Sequence, residues 1–207
     1  MNNKSIIKIK DGKVGMIGYG MLSSLESVED VLGRKYHDEI FCVHLNGLQR
    51  AWNFVGANND PNLPSEYLKY DSFFLRNQET IPFEKSIFLN IVENKEVQLN
   101  CALYFVTLDE LEMFDEFEVG YKRIDVTDIV KEYNFENGKI YAYKALPAYE
   151  FNPEMDSDKS IIDKGYLDLV LASYDTMGSE HRKEYDLSTI PPDPYLVAPV
   201  IHKKVRE

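Results

Sequence analysis

The chain has 207 residues, a length that suits a single domain with a sizeable core. Its apolar content of 44% and aromatic content of 13% are typical of a folded globule and argue against a disordered chain. With 35 acidic and 23 basic residues the net charge is −12, so nucleic acid and anionic membrane surfaces are poor partners. No apolar run reaches membrane-spanning length, and Met1–Lys13 is too polar for a signal peptide, so we expect a cytoplasmic protein.

Strand patterns dominate the chain, and helices are interspersed among them irregularly. This arrangement predicts an α+β fold whose mixed, curved sheet is able to close into a barrel. In the first part of the chain we expect a strand at Val14–Tyr19, a helix at Leu25–Leu32 capped by Ser24 or Ser27, and one bent strand or two at Ile40–Val55 with a turn or bulge at Asn46-Gly47. In the middle we expect strands at Ser86–Val92 and Asn100–Val106, a helix at Leu108–Glu118, and strands at Tyr121–Val126 and Lys139–Leu146. The last part is expected to hold a polar loop at Pro147–Lys159, helices at Ser160–Tyr174 and Ser179–Leu187, and an extended tail from Ile190.

The stretch Gly56–Glu84 is predicted to be irregular, and it is unusually long for a connection inside a compact domain. Its aromatic residues predict that it packs against the domain, as a flap over a site would. We expect it to border the pocket and to influence which substrate is accepted. The aromatic residues in question are Tyr67, Tyr70, Phe73 and Phe74.

The helix that ends near Glu118 contains the best candidate for chemistry. Thr107 and Glu110 have the spacing of a capping box, which places the helix start at Leu108. Leu111 and Phe114 then share a face, and Glu118 follows one turn later on it. A carboxylate directed at the interior has a raised pKa and can act as an acid or base near neutral pH. The alternative is an ordinary acid at a helix end that accepts a hydrogen bond from a hydroxyl or a backbone N–H group.

A glycine-rich turn follows the first predicted strand. Gly18-Tyr19-Gly20 matches neither a dinucleotide-binding fingerprint nor a phosphate-binding loop. One interpretation is a tight structural turn. The other is that the glycines let successive backbone N–H groups converge on a carboxylate or a developing oxyanion.

Cysteine and histidine residues give little evidence of a site. Cys42 and His44 would share one face of a strand, which raises the possibility of a nucleophile and its base. A buried structural cysteine beside a satisfied histidine is the favoured interpretation, because nothing nearby in the sequence would orient the pair. The remaining cysteine and histidines show no metal-ligand spacing, and we predict no metal site.

Taken together, these segments resemble the gamma-glutamylcyclotransferase superfamily. The resemblance covers roughly residues 12 to 178, and Met21 and Val119 depart from the family pattern, which usually has Ser and Gly there. The similar segments are Tyr19-Gly20-Met21-Leu22-Ser23 after the first strand, Gly47-Leu48-Gln49-Arg50-Ala51-Trp52-Asn53-Phe54, Ala102–Thr107 followed by Phe114–Tyr121, the strand with Tyr141 and Tyr143, and Gly165–Val170.

The resemblance implies one domain over residues 1–207, with a core at about 12–178 and an extended tail at about 188–207. It implies a small mixed β-barrel flanked by helices and no cofactor. Glu118 would be the catalytic acid/base in a cavity beside the glycine turn. The substrate-binding residues would be Tyr19, Gly20, Met21, Leu22 and Tyr121, and we add Tyr143 as a further tyrosine of the pocket wall. Because tyrosine hydroxyls can serve a small zwitterion without a buried fixed charge, we expect the pocket to be neutral to polar.

The activity that the resemblance implies is intramolecular aminolysis, a C–N cleavage that releases 5-oxoproline and a free amine from a γ-glutamyl compound. The leaving amine stays open: glutathione, a γ-glutamyl amino acid, a γ-glutamyl polyamine and a biosynthetic intermediate are all compatible with the sequence. The alternative function is a non-catalytic binding module on the same fold.

Overall fold

The computed structural model describes residues 4–63, 65, 67–156 and 160–204. Pro64, the side chain of Tyr67 and residues 157–159 of the expected polar loop lie outside this description. The strands are β1 Ser5–Lys8, β2 Lys13–Gly18, β3 Phe41–Ala57, β4 Tyr70–Arg76, β5 Glu79–Pro82, β6 Lys85–Thr107, β7 Tyr121–Asp125, β8 Tyr133–Glu136, β9 Ile140–Ala145, β10 Ser160–Asp163, β11 Val197–Ala198 and β12 Val200–Lys204. The α-helices are α1 Leu25–Leu32, α2 Leu108–Phe117, α3 Pro153–Asp156, α4 Lys164–Met177 and α5 Ser179–Ser188.

A mixed sheet forms the centre of the fold. Its hydrogen-bonded order is β11-β10-β6-β2-β9-β7, with β3 also paired to β6. The pairs of β2 with β9 and of β6 with β10 are parallel, whereas β3 and β2 run antiparallel to β6. Apolar side chains pack on both faces, and the larger core contains fully buried Leu45, Leu103 and Ile140. The predicted α+β class is confirmed; closure of the sheet into a barrel stays a prediction.

Two expected boundaries are wrong. The strands expected at Ser86–Val92 and Asn100–Val106 are one continuous strand, β6, because β3 pairs with it on both sides of a register shift near Gly47. The helix expected from Ser160 starts at Lys164, since Ile161 and Ile162 are buried in β10 instead. The extended tail contributes β11 and β12 to the sheets.

The expected irregular stretch at Gly56–Glu84 also contains more regular structure than predicted. Its strands β4 and β5 form a hairpin, and β12 pairs with the outer side of β4 in a separate three-stranded sheet. Asn77 and Gln78 both have positive φ, which a two-residue hairpin turn requires and which their sequence does not signal. The segment returns to its starting point, because Asn58 donates a backbone hydrogen bond of 2.8 Å to Glu84.

None of the helices in the described part of the chain is both long and apolar enough to cross a bilayer.

Candidate active site

The capping box at the start of α2 is present as predicted. The Thr107 hydroxyl accepts a hydrogen bond of 3.2 Å from the Glu110 amide, and the Glu110 carboxylate accepts one of 2.9 Å from the Thr107 amide. Leu111 and Phe114 are fully buried on one face of the helix. The Glu118 amide donates to the Phe114 carbonyl at 2.8 Å, so Glu118 still follows the helical phase where α2 ends.

A glycine turn fixes the backbone directly after Glu118. Gly120 has φ +85°, and a Cβ at this position would approach the rings of Phe54 and Tyr149 to 2.8 Å or less. The Tyr121 amide donates to the Glu118 carbonyl at 3.0 Å, and the Leu146 amide donates to the Gly120 carbonyl at 2.9 Å. These contacts hold the end of α2 against strand β9.

Glu118 lines a cavity of about 700 Å³. Among the described residues, no hydrogen-bond donor or cation pairs with its carboxylate, and burial raises its pKa to about 8. The side chain keeps partial accessibility, which fits a group that is surrounded by protein and faces a cavity. The neighbouring Glu116 is exposed. The predicted difference between these two carboxylates is therefore present in the structure.

The predicted tyrosines line the same cavity, but their hydroxyl protons are donated elsewhere. Tyr19 donates to the Tyr143 carbonyl at 2.7 Å, and Tyr121 donates to the Leu89 carbonyl at 2.8 Å. The Tyr143 hydroxyl donates to Asp115 at 2.8 Å, so it points toward α2. Burial raises the pKa of all three phenols, and the nearby Glu118 carboxylate raises them further.

The cavity walls are more apolar than a site for a small zwitterion suggests. Phe54, Phe88 and Phe117 contribute aromatic surface, and Leu63 and Val200 contribute aliphatic surface. We expected a neutral to polar pocket, and this expectation is wrong for most of the wall. The reason is that β3, β6 and β12 each direct apolar side chains into the cavity.

The glycine turn brings the predicted binding residues Tyr19, Gly20, Met21 and Leu22 into the cavity wall. Met21–Ser23 forms a 3-10 turn in which the Ser23 amide donates to the Gly20 carbonyl at 3.0 Å. A side chain at Gly18 would collide with the Leu22 carbonyl, so this tight turn requires glycine. The structure thus places the loop and Glu118 on one cavity.

The buried Arg50 side chain holds this loop in place through hydrogen bonds. Its Nε donates to the Tyr19 carbonyl at 2.8 Å, and its guanidinium also reaches Asn100 Oδ1 at 2.8 Å and the Tyr174 hydroxyl at 2.6 Å. The Nη1 group donates to Ser188 at 2.8 Å, at the end of α5. The motif comparison included Arg50 only as a pattern residue, and this positioning contact was not predicted.

Tyr166 is a cavity residue that the sequence reasoning missed. Its hydroxyl would lie 3.2 Å from a Cβ at Gly20, so it sits directly against the loop. Burial and the Glu118 carboxylate raise its pKa, whereas hydrogen bonds from the backbone N–H groups of Leu89 and Met21 lower it. The helical spacing assigned Tyr166 to an apolar face, and only its place in the Gly165–Val170 motif was a signal of another role.

Cys42 and His44 do not form a nucleophile–base pair. Cys42 is exposed rather than buried, although partial desolvation of the thiol and the nearby Glu184 carboxylate raise its pKa. His44 is oriented after all, because its Nδ1 lies 2.7 Å from Glu132 and its Nε2 lies 3.3 Å from Glu184. No group of metal-binding side chains is found in the described part of the chain.

No family model matches the sequence, and no curated protein matches it either. Two solved structures are similar over most of their length. One, titled gamma-glutamyl cyclotransferase, is 12% identical with a TM-score of 0.55 and covers 88% of this chain and 90% of its own. The other, an uncharacterised protein from Homo sapiens, is 14% identical with a TM-score of 0.54 and covers 89% and 92%. The protein therefore has the gamma-glutamylcyclotransferase-like fold, as the motif resemblance predicted.

Proposed function

We propose that the protein catalyses the ring closure of a γ-glutamyl amide to 5-oxoproline and a free amine. The observation that supports this most is the Glu118 carboxylate. It lacks a partner among the described residues, its pKa is raised to about 8, and it lines the same cavity as the loop Tyr19–Leu22. A carboxylate with such a pKa is suited to exchange protons with amines near neutral pH.

In the proposed step the α-amine of the glutamyl group attacks its own γ-carbonyl carbon. A new N–C bond closes the five-membered lactam, and the C–N bond to the leaving amine breaks. Glu118 takes the proton from the attacking amine and delivers it to the leaving amine, so no water or redox partner is consumed. The nucleophile is already tethered, and the protein mainly has to fold the glutamyl chain and move this proton.

The loop Tyr19–Leu22 would hold the glutamyl α-carboxylate or the oxyanion through its backbone N–H groups. Arg50, which bonds the Tyr19 carbonyl, and Tyr166, whose hydroxyl lies against Gly20, would keep the loop in position. Tyr121 and Tyr143 would form the wall next to the reacting carbonyl. The segment Gly56–Glu84 would contact the leaving group, since several of its residues line the same cavity.

A second candidate is a non-catalytic module that binds a small molecule. Met21 and the apolar cavity walls favour it, because a nonpolar pocket can bind a ligand without turning it over. To separate the two, the purified protein is incubated with a panel of γ-glutamyl amides, and free 5-oxoproline is measured by mass spectrometry. Release that depends on protein concentration supports the enzyme; saturable binding without release supports the module.

A further inference from the structure

The charged side chains along the cavity are predominantly acidic. Asp60 and Asp163 line it beside Glu118, which stays protonated below about pH 8, and among the described lining residues His202 is the only basic one, since no Lys or Arg of that part of the chain contributes to the wall. A cavity with this charge attracts cations and repels anions. The net charge of −12 adds to the same preference at long range.

Asp60 is held in place as a carboxylate. It accepts hydrogen bonds of 2.9 Å from the Asn62 backbone, the Asn62 side chain and the Tyr149 hydroxyl. The Asn62 backbone contact in particular keeps the pKa of Asp60 below its usual range. The Asp163 carboxylate accepts a hydrogen bond of 2.9 Å from the Gly165 amide at the start of α4. Neither carboxylate has a Lys or Arg partner within the described residues.

An aromatic stack connects the reaction centre to Asp60. The Tyr121 ring, next to Glu118, stacks on Phe54 at a centroid distance of 4.2 Å, and Phe54 stacks on Tyr149 at 5.4 Å. The Tyr149 hydroxyl then donates to Asp60. Phe54, Phe88 and Tyr121 line the cavity that also contains Glu118 and Asp60, and such aromatic surface suits an alkyl chain.

From this arrangement we infer that the leaving amine is a short alkyl diamine or polyamine whose second, cationic amino group pairs with Asp60. This inference rests on the proposed function and narrows its substrate. The alkyl chain would lie along Phe54 and Phe88, and the distal ammonium would reach the Asp60 carboxylate. A leaving group with a carboxylate, as in a γ-glutamyl amino acid, would bring like charges together there.

Three substrates of nearly equal shape test the inference. They are the γ-glutamyl amides of 1,4-diaminobutane, of butylamine and of 4-aminobutanoate, whose far ends are cationic, neutral and anionic. 5-Oxoproline release gives kcat/KM for each. We expect the diamine compound to exceed the butylamine compound about tenfold, the usual strength of one charge-assisted hydrogen bond, and the anionic compound to be the poorest.

Two variants locate the effect. Asp60→Asn keeps the side-chain shape and should reduce the ratio of diamine to butylamine turnover about tenfold, because the carboxylate that recognises the ammonium is lost. Asp109→Asn makes the same change in net charge at an exposed position of α2 and should leave the ratio unchanged. An equal fall in both variants would assign the preference to the overall charge and overturn the role of Asp60.

The failure of this inference differs from the failure of the proposed function. Release of 5-oxoproline from all three amides at similar rates, or fastest from the anionic one, overturns the inference while the enzyme assignment stands. If none of the three is converted, the wider panel of γ-glutamyl amides decides the enzyme assignment, and binding of the three amides is measured by calorimetry. Tighter binding of the diamine compound, about tenfold, then still supports the cation site; equal or absent binding contradicts it.

Discussion

At the scale of single residues, Glu118 and Glu116 show how environment gives two like carboxylates different chemistry. They lie two positions apart, but only Glu118 faces the cavity. Helical spacing from the capping box predicted this difference, because the phase of a short helix is fixed by its first turn. The raised pKa of Glu118 also has a consequence for stability.

Glu118→Gln should stabilise the folded protein at alkaline pH. Between about pH 4.5 and 8 the folded protein holds a proton on Glu118 that the unfolded chain has released, so the stability of the wild type falls as pH rises through this window. Glu118→Gln has no ionisable group at this position, so its stability does not fall with pH in this way. We expect it to be more stable by about 2 kcal/mol at pH 9, since partial accessibility reduces the full effect of the pKa shift. The advantage should vanish toward pH 4.5.

Chemical denaturation at pH 5 and at pH 9 measures this difference in the free energy of unfolding. Glu116→Gln is the matched control and should track the wild type at each pH, because its side chain is exposed. A Glu118→Gln advantage that is the same at pH 5 and pH 9 would contradict the raised pKa.

At the scale of elements, the site depends on two backbone turns that residues distant in sequence hold in place. The turn at Gly120 packs against Phe54 and Tyr149, and the loop after β2 is held by Arg50. The sequence indicated the turn after β2 through Gly18 and Gly20, but it did not indicate the turn at Gly120. It did not indicate the residues that hold them, because those contacts join positions far apart in the chain.

Gly120→Ala should destabilise the protein and impair the site. Its positive φ disfavours a side chain, and the added methyl would overlap two aromatic rings, so we expect a loss of about 3 kcal/mol. Gly12→Ala is the control, since its φ of +77° imposes similar backbone strain but nothing lies within 4 Å of the new atom. It should cost about 1 kcal/mol. Equal losses in thermal or denaturant unfolding would show that the packing at Gly120 is unimportant.

Arg50→Lys should reduce turnover more than it reduces stability. Lysine keeps the charge but cannot bond the Tyr19 carbonyl, Ser188 and Asn100 together, as the planar guanidinium does. We expect the loop to lose its fixed position and kcat/KM for 5-oxoproline release to fall about tenfold or more. Circular dichroism checks that the variant is folded. Unchanged kinetics in a folded variant would show that Arg50 has only a structural role.

At the scale of the whole molecule, the sequence predicted the α+β class, the α2 capping box and the proximity of Glu118 to the glycine turn. It failed where long-range pairing decides local structure. The hairpin in Gly56–Glu84 forms because β12, from the far end of the chain, completes its sheet. Strand β6 stays continuous because β3 pairs with it on both sides of the register shift near Gly47. Tyr166 was missed because a cavity-facing tyrosine has the same helical spacing as a core residue.

The central claim is that Glu118 is the acid/base of a γ-glutamyl ring closure. The most direct measurement compares 5-oxoproline release by wild type, Glu118→Gln and Glu116→Gln on whichever γ-glutamyl amide is best converted. We predict a loss of about a hundredfold or more in Glu118→Gln, because the amide keeps the shape but cannot accept the proton, and near wild-type release in Glu116→Gln. Full activity in Glu118→Gln, or an equal loss in both variants, would contradict the account.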